Sequence, residues 1–159
     1  MQGKESLGVA AVINDVGVIQ LRRGHHDIAR KCFMEAICVW KIHLDDNHIF
    51  LGETLVNLGE IEQCNGNFDR AIDNLDQALR IFNSSRGSDH LSVGFVSWKL
   101  GNSYHYNGDF DKALLVYENA LSIRIFHLGV DSLLVAETLK DLGSLHFDKA
   151  DFNTAVLGL

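Results

Sequence analysis

A chain of 159 residues with 47% hydrophobic side chains is long enough to bury the core of one domain and too apolar to stay disordered. Its formal net charge of −7 argues against a broad nucleic-acid surface, because phosphate binding needs clustered Lys and Arg to release counterions. The three cysteines, Cys32, Cys38 and Cys64, have no CxxC spacing, so they specify neither a disulfide framework nor a zinc knuckle.

Reduced thiols make the cytoplasm the default location. No apolar run approaches the ~20 residues of a membrane-spanning helix. The greasiest stretch, Leu7 to Leu21, is interrupted by Asn14, Asp15 and Gln20. No membrane association and no signal peptide are expected. Proline is absent, and 14 glycines take over part of its work as punctuation.

Self-comparison gives the organisation. Gly17, Gly59, Gly101 and Gly143 are spaced by 42 residues, and so are Ala29, Ala71, Ala113 and Ala155. The same step links Val16, Leu58, Leu100 and Leu142, and it links Gly24, Gly66, Gly108 and Ala150. A period that holds at several positions without an insertion marks a repeat solenoid. Within each unit the apolar spacing predicts two helices. In chain order these are residues 7–22 and 26–44, then 49–64 and 68–84, then 91–106 and 110–128, and last 133–148 and 152 to the end. Asn47, Asp89 and Asp131 precede the later first helices as N-cap candidates, and Glu5-Ser6-Leu7 is the matching segment at the start.

A glycine inside a helix costs about 1 kcal/mol against alanine, so four in register need an offsetting close helix contact. We expect the alanines at 29, 71, 113 and 155 to clear the facing side of the crossing, and Phe33, Leu75 and Tyr117 to fill the space between units. The fold class is therefore all-α, a solenoid of antiparallel helix hairpins, which the resemblance described below makes a right-handed superhelix. It forms a single array of three complete repeats, about 7–48, 49–90 and 91–132, plus a partial fourth, 133–159. The unfinished last hairpin suggests a fragment of a longer array.

The unit resembles the tetratricopeptide repeat. Its third copy carries Leu100, Gly101, Tyr104, Ala113, Tyr117 and Ala120, and its second carries Leu55, Leu58, Gly59, Ala71, Leu75 and Ala78. A 42-residue period is longer than the usual ~34, and with the linkers Gly87-Ser88-Asp89-His90 and Gly129-Val130-Asp131-Ser132 it is similar to the kinesin light chain type of repeat. The linker proline of that type is replaced by Ile49, Leu91 and Leu133. The paired asparagines its first helices offer to a groove correspond here to Asn14-Asp15, Val56-Asn57, Trp98-Lys99 and Lys140-Asp141. Basic residues that would receive acidic cargo peptides are sparse, so motor-cargo function is not transferred.

In such a stack the first helices line the concave face. Helical spacing from the internal glycine nominates Asn14, Val18 and Leu21; Glu53, Val56, Glu60 and Gln63; Phe95, Trp98, Asn102 and His105; and Glu137, Lys140, Ser144 and Phe147, and the resemblance adds Asn57. Of these, Trp98, Asn102, Asn57, Asn14 and Lys140 are the expected core of a site for a peptide or helix of a partner protein, held by an aromatic anchor and polar contacts. The alternatives are a structural spacer that self-associates through the unfinished C-terminal hairpin, and an accessory region of a larger enzyme or signalling protein. The eight histidines show no HxxxH or HExxH pattern, and no GxSxG, phosphate loop or Cys-His arrangement appears. No metal, no cofactor and no catalysis are expected.

Overall fold

The computed structural model describes residues 2–158, with side chains described from Ser6 onward. Among them it has seven helices and no strand: α1 Gln2–Arg22, α2 His26–His43, α3 Ile49–Cys64, α4 Phe68–Arg86, α5 Leu91–Tyr106, α6 Phe110–Leu128 and α7 Leu133–Leu157. They fall into two compact units, Met1–Arg86 with α1 to α4 and Gly87–Leu159 with α5 to α7.

The first unit stacks two hairpins, α1 with α2 and α3 with α4. Ala29 and Phe33 of α2 pack on Leu58 and Ile61 of α3, while Ala36 and Trp40 pack on Ala10, Leu51 and Ile81. The second unit pairs α5 with α6 and lays α7 on α6, through Ala113, Tyr117, Leu142 and Leu145.

Each helix reversal inside a hairpin is made by one residue with positive φ: Gly24 at 78°, Gly66 at 74° and Gly108 at 84°. The hydrogen bonds are the same each time. The turn glycine N–H donates to the carbonyl three residues back, at Leu21, Gln63 or His105, and the next residue donates across the loop to Gln20, Glu62 or Tyr104. This is the glycine-dependent helix end, which an L side chain resists by crowding its own carbonyl.

The fourth position in this series is Ala150, and there the expected turn does not form. Instead of ending at Asp148 and restarting at Phe152, α7 runs unbroken for 25 residues. Alanine is the best helix former and a poor left-handed residue, so the chain continues straight. Two nominated structural positions change character as a result. Ala155 is exposed, whereas Ala29, Ala71 and Ala113 are fully buried, and Gly143 has open space around it.

At the other three glycines the close approach is real, but the facing residue is not the alanine. A Cβ on Gly17 would lie 2.7 Å from the Phe33 ring, on Gly59 2.7 Å from Leu75, and on Gly101 2.5 Å from Tyr117. The large residues thus fill the notch over the glycine of their own hairpin; Phe33 and Tyr117 also reach the next first helix.

The ends differ in detail. α1 starts at Gln2, ahead of the expected Leu7, because Gln2–Ser6 carries no helix breaker beyond Gly3. The N-caps sit one residue beyond the expected Asn47, Asp89 and Asp131. His48 Nδ1 accepts from the Phe50 N–H at 3.3 Å, His90 Nδ1 from Ser92 at 3.1 Å, and Ser132 Oγ from Leu134 at 3.3 Å. A cap must accept from the residue two positions on, and an unprotonated imidazole nitrogen does this as a hydroxyl does.

Candidate peptide-binding surface

With about 100° per residue, the outward arc of α3 consists of Glu53, Asn57, Glu60 and Cys64, all exposed or half-buried. On α5 the same arc holds Phe95, Lys99, Asn102 and Tyr106. Relative to the nominated set, the surface is turned by about one residue. Val56, nominated for the groove, is buried, because it lies between this arc and the edge of α3 marked by Gly52 and Gly59, where α4 packs. Val18 and Leu21 are likewise drawn toward the core, against Ala29, Phe33, Leu58 and Ile61. Gln63 is half-buried at the edge.

Several nominated polar residues tie first helices to their neighbours. Asn14 Oδ1 accepts the Thr54 hydroxyl at 3.0 Å, joining α1 to α3. The Trp98 indole N–H donates to Asp141 at 2.8 Å, and His105 Nε2 pairs with Asp148 at 2.7 Å. These two links join α5 to α7 one heptad apart, so they act as two rungs between adjacent helices. The Tyr117 phenol donates to Asn102 Oδ1 at 2.6 Å, which commits the Asn102 carbonyl and leaves its amide hydrogens as the part that can serve a ligand. Burial pushes the Tyr117 phenol well above its ordinary value, with the Asp141 carboxylate adding to the shift.

Beneath Trp98 lies Arg124, 1% exposed, with its guanidinium carbon 4.8 Å from the indole centroid. Its Nη1 donates to the Leu134 carbonyl at 2.9 Å and to Thr138 Oγ1 at 2.7 Å, and approaches Glu137 at 3.5 Å. Burial lowers its pKa and the Glu137 carboxylate opposes that shift. Arg124 therefore fastens the first turn of α7 to α6 and gives Trp98 a charged floor. Sequence reasoning does not single it out: the matching positions one and two repeats earlier are Phe82 and Trp40, which mark the place as core and say nothing of a charge there.

What stays outward in the second unit is an aromatic and cationic strip. Phe95 is 41% exposed, its ring 6.3 Å from that of Trp98, and Lys99 Nζ sits 5.2 Å from the Phe95 centroid. Tyr106 is more exposed still, and stacks on the His105 ring at 5.7 Å. On α7, Lys140, Ser144 and Phe147 are exposed, and Glu137 is half-buried. In the first unit the outward face is acidic, with Glu53 held 3.4 Å from Arg86. Asn57 and Glu60 remain half-buried. Among the described residues, no group of three His, Cys, Asp or Glu is placed to hold a metal ion, and no helix is long and apolar enough to cross a membrane.

Comparison with known proteins follows the same lines. Family models described as tetratricopeptide repeat match residues 50–125, 96–157 and 9–49. Among solved structures, BtubC (BKLC) from P. vanneervenii superposes with a TM-score of 0.83 at 23% identity, over 93% of this chain. The present chain spans 59% of the length of that protein. A putative kinesin light chain of Podosopora anserina, with nearly identical TPR-like repeats, gives 0.74 at 18% identity, covering 92% of this chain and 69% of its own. The TPR2AB domain of yeast Sti1, solved as a pHSP90 complex, gives 0.67 at 20% identity, covering 94% and 50%. At such identities the likeness is one of fold. No curated protein matches the chain by sequence. With repeat models covering nearly its whole length, the chain belongs to the tetratricopeptide repeat family, and kinesin light chain-like repeat proteins are among its structural neighbours.

Proposed function

We propose that the chain is a non-catalytic scaffold that holds a peptide or helix of a partner protein against its first helices. The observation that carries this reading is the strip on α5, where Phe95 and Tyr106 expose aromatic surface beside Lys99 and Asn102. Exposed aromatics flanked by polar donors suit anchor residues in a peptide site. The fold also supports it, since the Sti1 domain with the same architecture was solved with an HSP90 partner.

In this reading Phe95 is the anchor of the second unit and Asn102 its backbone clamp, with Lys140 at the rim; in the first unit, taken by itself, Asn57 on α3 and Asn14 on α1 are the polar contacts. Trp98 supports the site from below through Asp141 and Arg124. The test is selection of binders from a displayed peptide library, followed by affinity measurement on Phe95→Ala and Asn102→Ala variants. A hot-spot anchor is worth about 2 kcal/mol or more, so Phe95→Ala should weaken selected peptides roughly 30-fold. Selected peptides that bind both variants as tightly as the parent chain would defeat the proposal.

A further inference from the structure

Of the hairpin turns at Gly24, Gly66 and Gly108, the last two carry the dipeptide Asn-Gly, as Asn65-Gly66 and Asn107-Gly108, while the first has Arg23 before its glycine. Each asparagine follows the last residue of its helix, with φ −89° and ψ 0° at Asn65 and φ −81° and ψ −7° at Asn107. Both are exposed, together with the glycine that follows. An asparagine so placed has a reaction of its own. The backbone nitrogen of the next residue can reach the side-chain carbonyl carbon by closing a succinimide ring, and a glycine there has no Cβ to hinder the approach. At the later turn the Gly108 nitrogen bonds to Asn107 Cγ, the side-chain nitrogen leaves as ammonia, and water opens the cyclic imide at either carbonyl. The products are aspartate and isoaspartate. The net change is an amide and a water for a carboxylate and an ammonium ion.

The native turn slows this reaction without abolishing it. The Gly66 N–H donates to the Gln63 carbonyl and the Gly108 N–H to that of His105, both at 3.0 Å, so the nitrogen is released only when the turn opens. Openings at a helix end in contact with water are among the least costly a fold has. Isoaspartate lengthens the main chain in either turn, but the aspartate product separates the two, because the side-chain partners differ. Asn107 Nδ2 donates to Asp109 Oδ2 at 3.1 Å. With the amide replaced by an acid, that bond becomes two neighbouring carboxylates at the C-terminal end of α5, where the helix dipole also disfavours an anion. Asn65 Oδ1 instead lies 3.2 Å from His26 Nδ1. That oxygen survives the reaction, so an acid at position 65 keeps the ring N–H as its donor and offers it a charged acceptor.

We propose that both Asn-Gly turns are sites of spontaneous deamidation, and that the aspartate form unfastens the turn between α5 and α6 while the turn between α3 and α4 stays held through His26. Neither step involves a ligand of the α5 strip, and the test does not depend on that site.

The experiment ages the full chain in warm, mildly alkaline buffer and maps its peptides by mass spectrometry, beside a sample held unfolded in urea. Peptides containing Asn65 and Asn107 should acquire isoaspartate and aspartate, more slowly than in urea, and Asn107→Ser should remove the product at that turn alone. Hydrogen exchange on fresh variants then reads the consequence. Asn107→Asp should lower the protection factors of the Gly108 and Asp109 amides roughly fivefold, from like-charge repulsion and the dipole together. Asn65→Asp should leave those of Gly66 and Asn67 within about twofold of the parent. Adding Asp109→Asn to Asn107→Asp should restore protection, and adding His26→Ala to Asn65→Asp should lower it. An asparagine that stays intact in the folded chain after the unfolded sample has reacted would overturn the site at that turn. Unchanged protection in Asn107→Asp, no rescue by Asp109→Asn, or an equal loss in Asn65→Asp would overturn the difference between the turns.

Discussion

A methyl group added at Gly101 would meet the Tyr117 ring at 2.5 and 2.6 Å, whereas the same methyl at Gly143, one repeat later, meets nothing within 4 Å. The two positions are equivalent in sequence and opposite in energetics. Gly101→Ala should destabilise the chain by about 1–3 kcal/mol through overpacking, while Gly143→Ala should stabilise it by about 0.5–1 kcal/mol through helix propensity; urea melts of the pair measure both signs. The same tyrosine makes a pH prediction. Because its folded-state pKa is raised above the ordinary value near 10, the native state keeps a proton that the unfolded chain gives up. The stability this supplies is fully present at neutral pH and falls as pH climbs past about 10. Tyr117→Phe should flatten that alkaline decline relative to the parent, at a cost of about 1 kcal/mol at neutral pH for the lost bond to Asn102. Arg124 shows why residue-scale reading from sequence runs out. Its register position holds Trp40 and Phe82 in the earlier repeats, so periodicity predicts an apolar core residue there, and only the fold reveals that the guanidinium caps the Leu134 carbonyl under Trp98.

Among the elements, six of the seven helices fall within a few residues of where apolar spacing puts them, because each pairs a small-residue notch with a large residue on the facing helix. The seventh departs for a local reason. The turn between paired helices depends on one left-handed residue, and the periodic pattern of Phe152 and Ala155, which copies Phe110 and Ala113, cannot start a new helix without it. Phe152 packs instead on Phe110, with ring centroids 5.7 Å apart, and Lys149 reaches Asp111 at 2.6 Å, so the extension of α7 rests on the start of α6. Ala150→Gly should loosen this stretch. A glycine there costs about 1 kcal/mol of helix stability, which predicts roughly fivefold faster hydrogen exchange of amides 151–157. Unchanged exchange would mean that the Phe152 and Lys149 contacts, rather than helix propensity, hold the segment. The candidate strip was legible in part: helical spacing points to Phe95 and Asn102, and the asparagine pairs of the resemblance to Asn57, but spacing sets Trp98, Val56 and His105 outward by about one residue too many. The missing information was the rung from Trp98 to Asp141 and that from His105 to Asp148, both of which join residues 43 apart and so are invisible to any pattern within one helix.

For the molecule as a whole, the 42-residue period was the most informative property of the sequence, because it pointed to paired helices and to a stacked repeat, while the family rested on the residues that recur within it. What it could not report is where equivalence between repeats fails. Val9, Val12, Val16 and Ile19 of α1 match buried residues of α3 and α7 and are exposed all the same, since burial in a repeat protein belongs to the neighbour as much as to the residue. A net charge of −7 gives the molecule a field that disfavours polyanions. The alanine at 150 has one more consequence. Glycine and alanine codons differ by a single base, so a point change at a hairpin turn can convert two short helices into one long one without adding or removing a residue. In a chain built this way, the number of helix reversals can change while the reading frame and the length stay fixed.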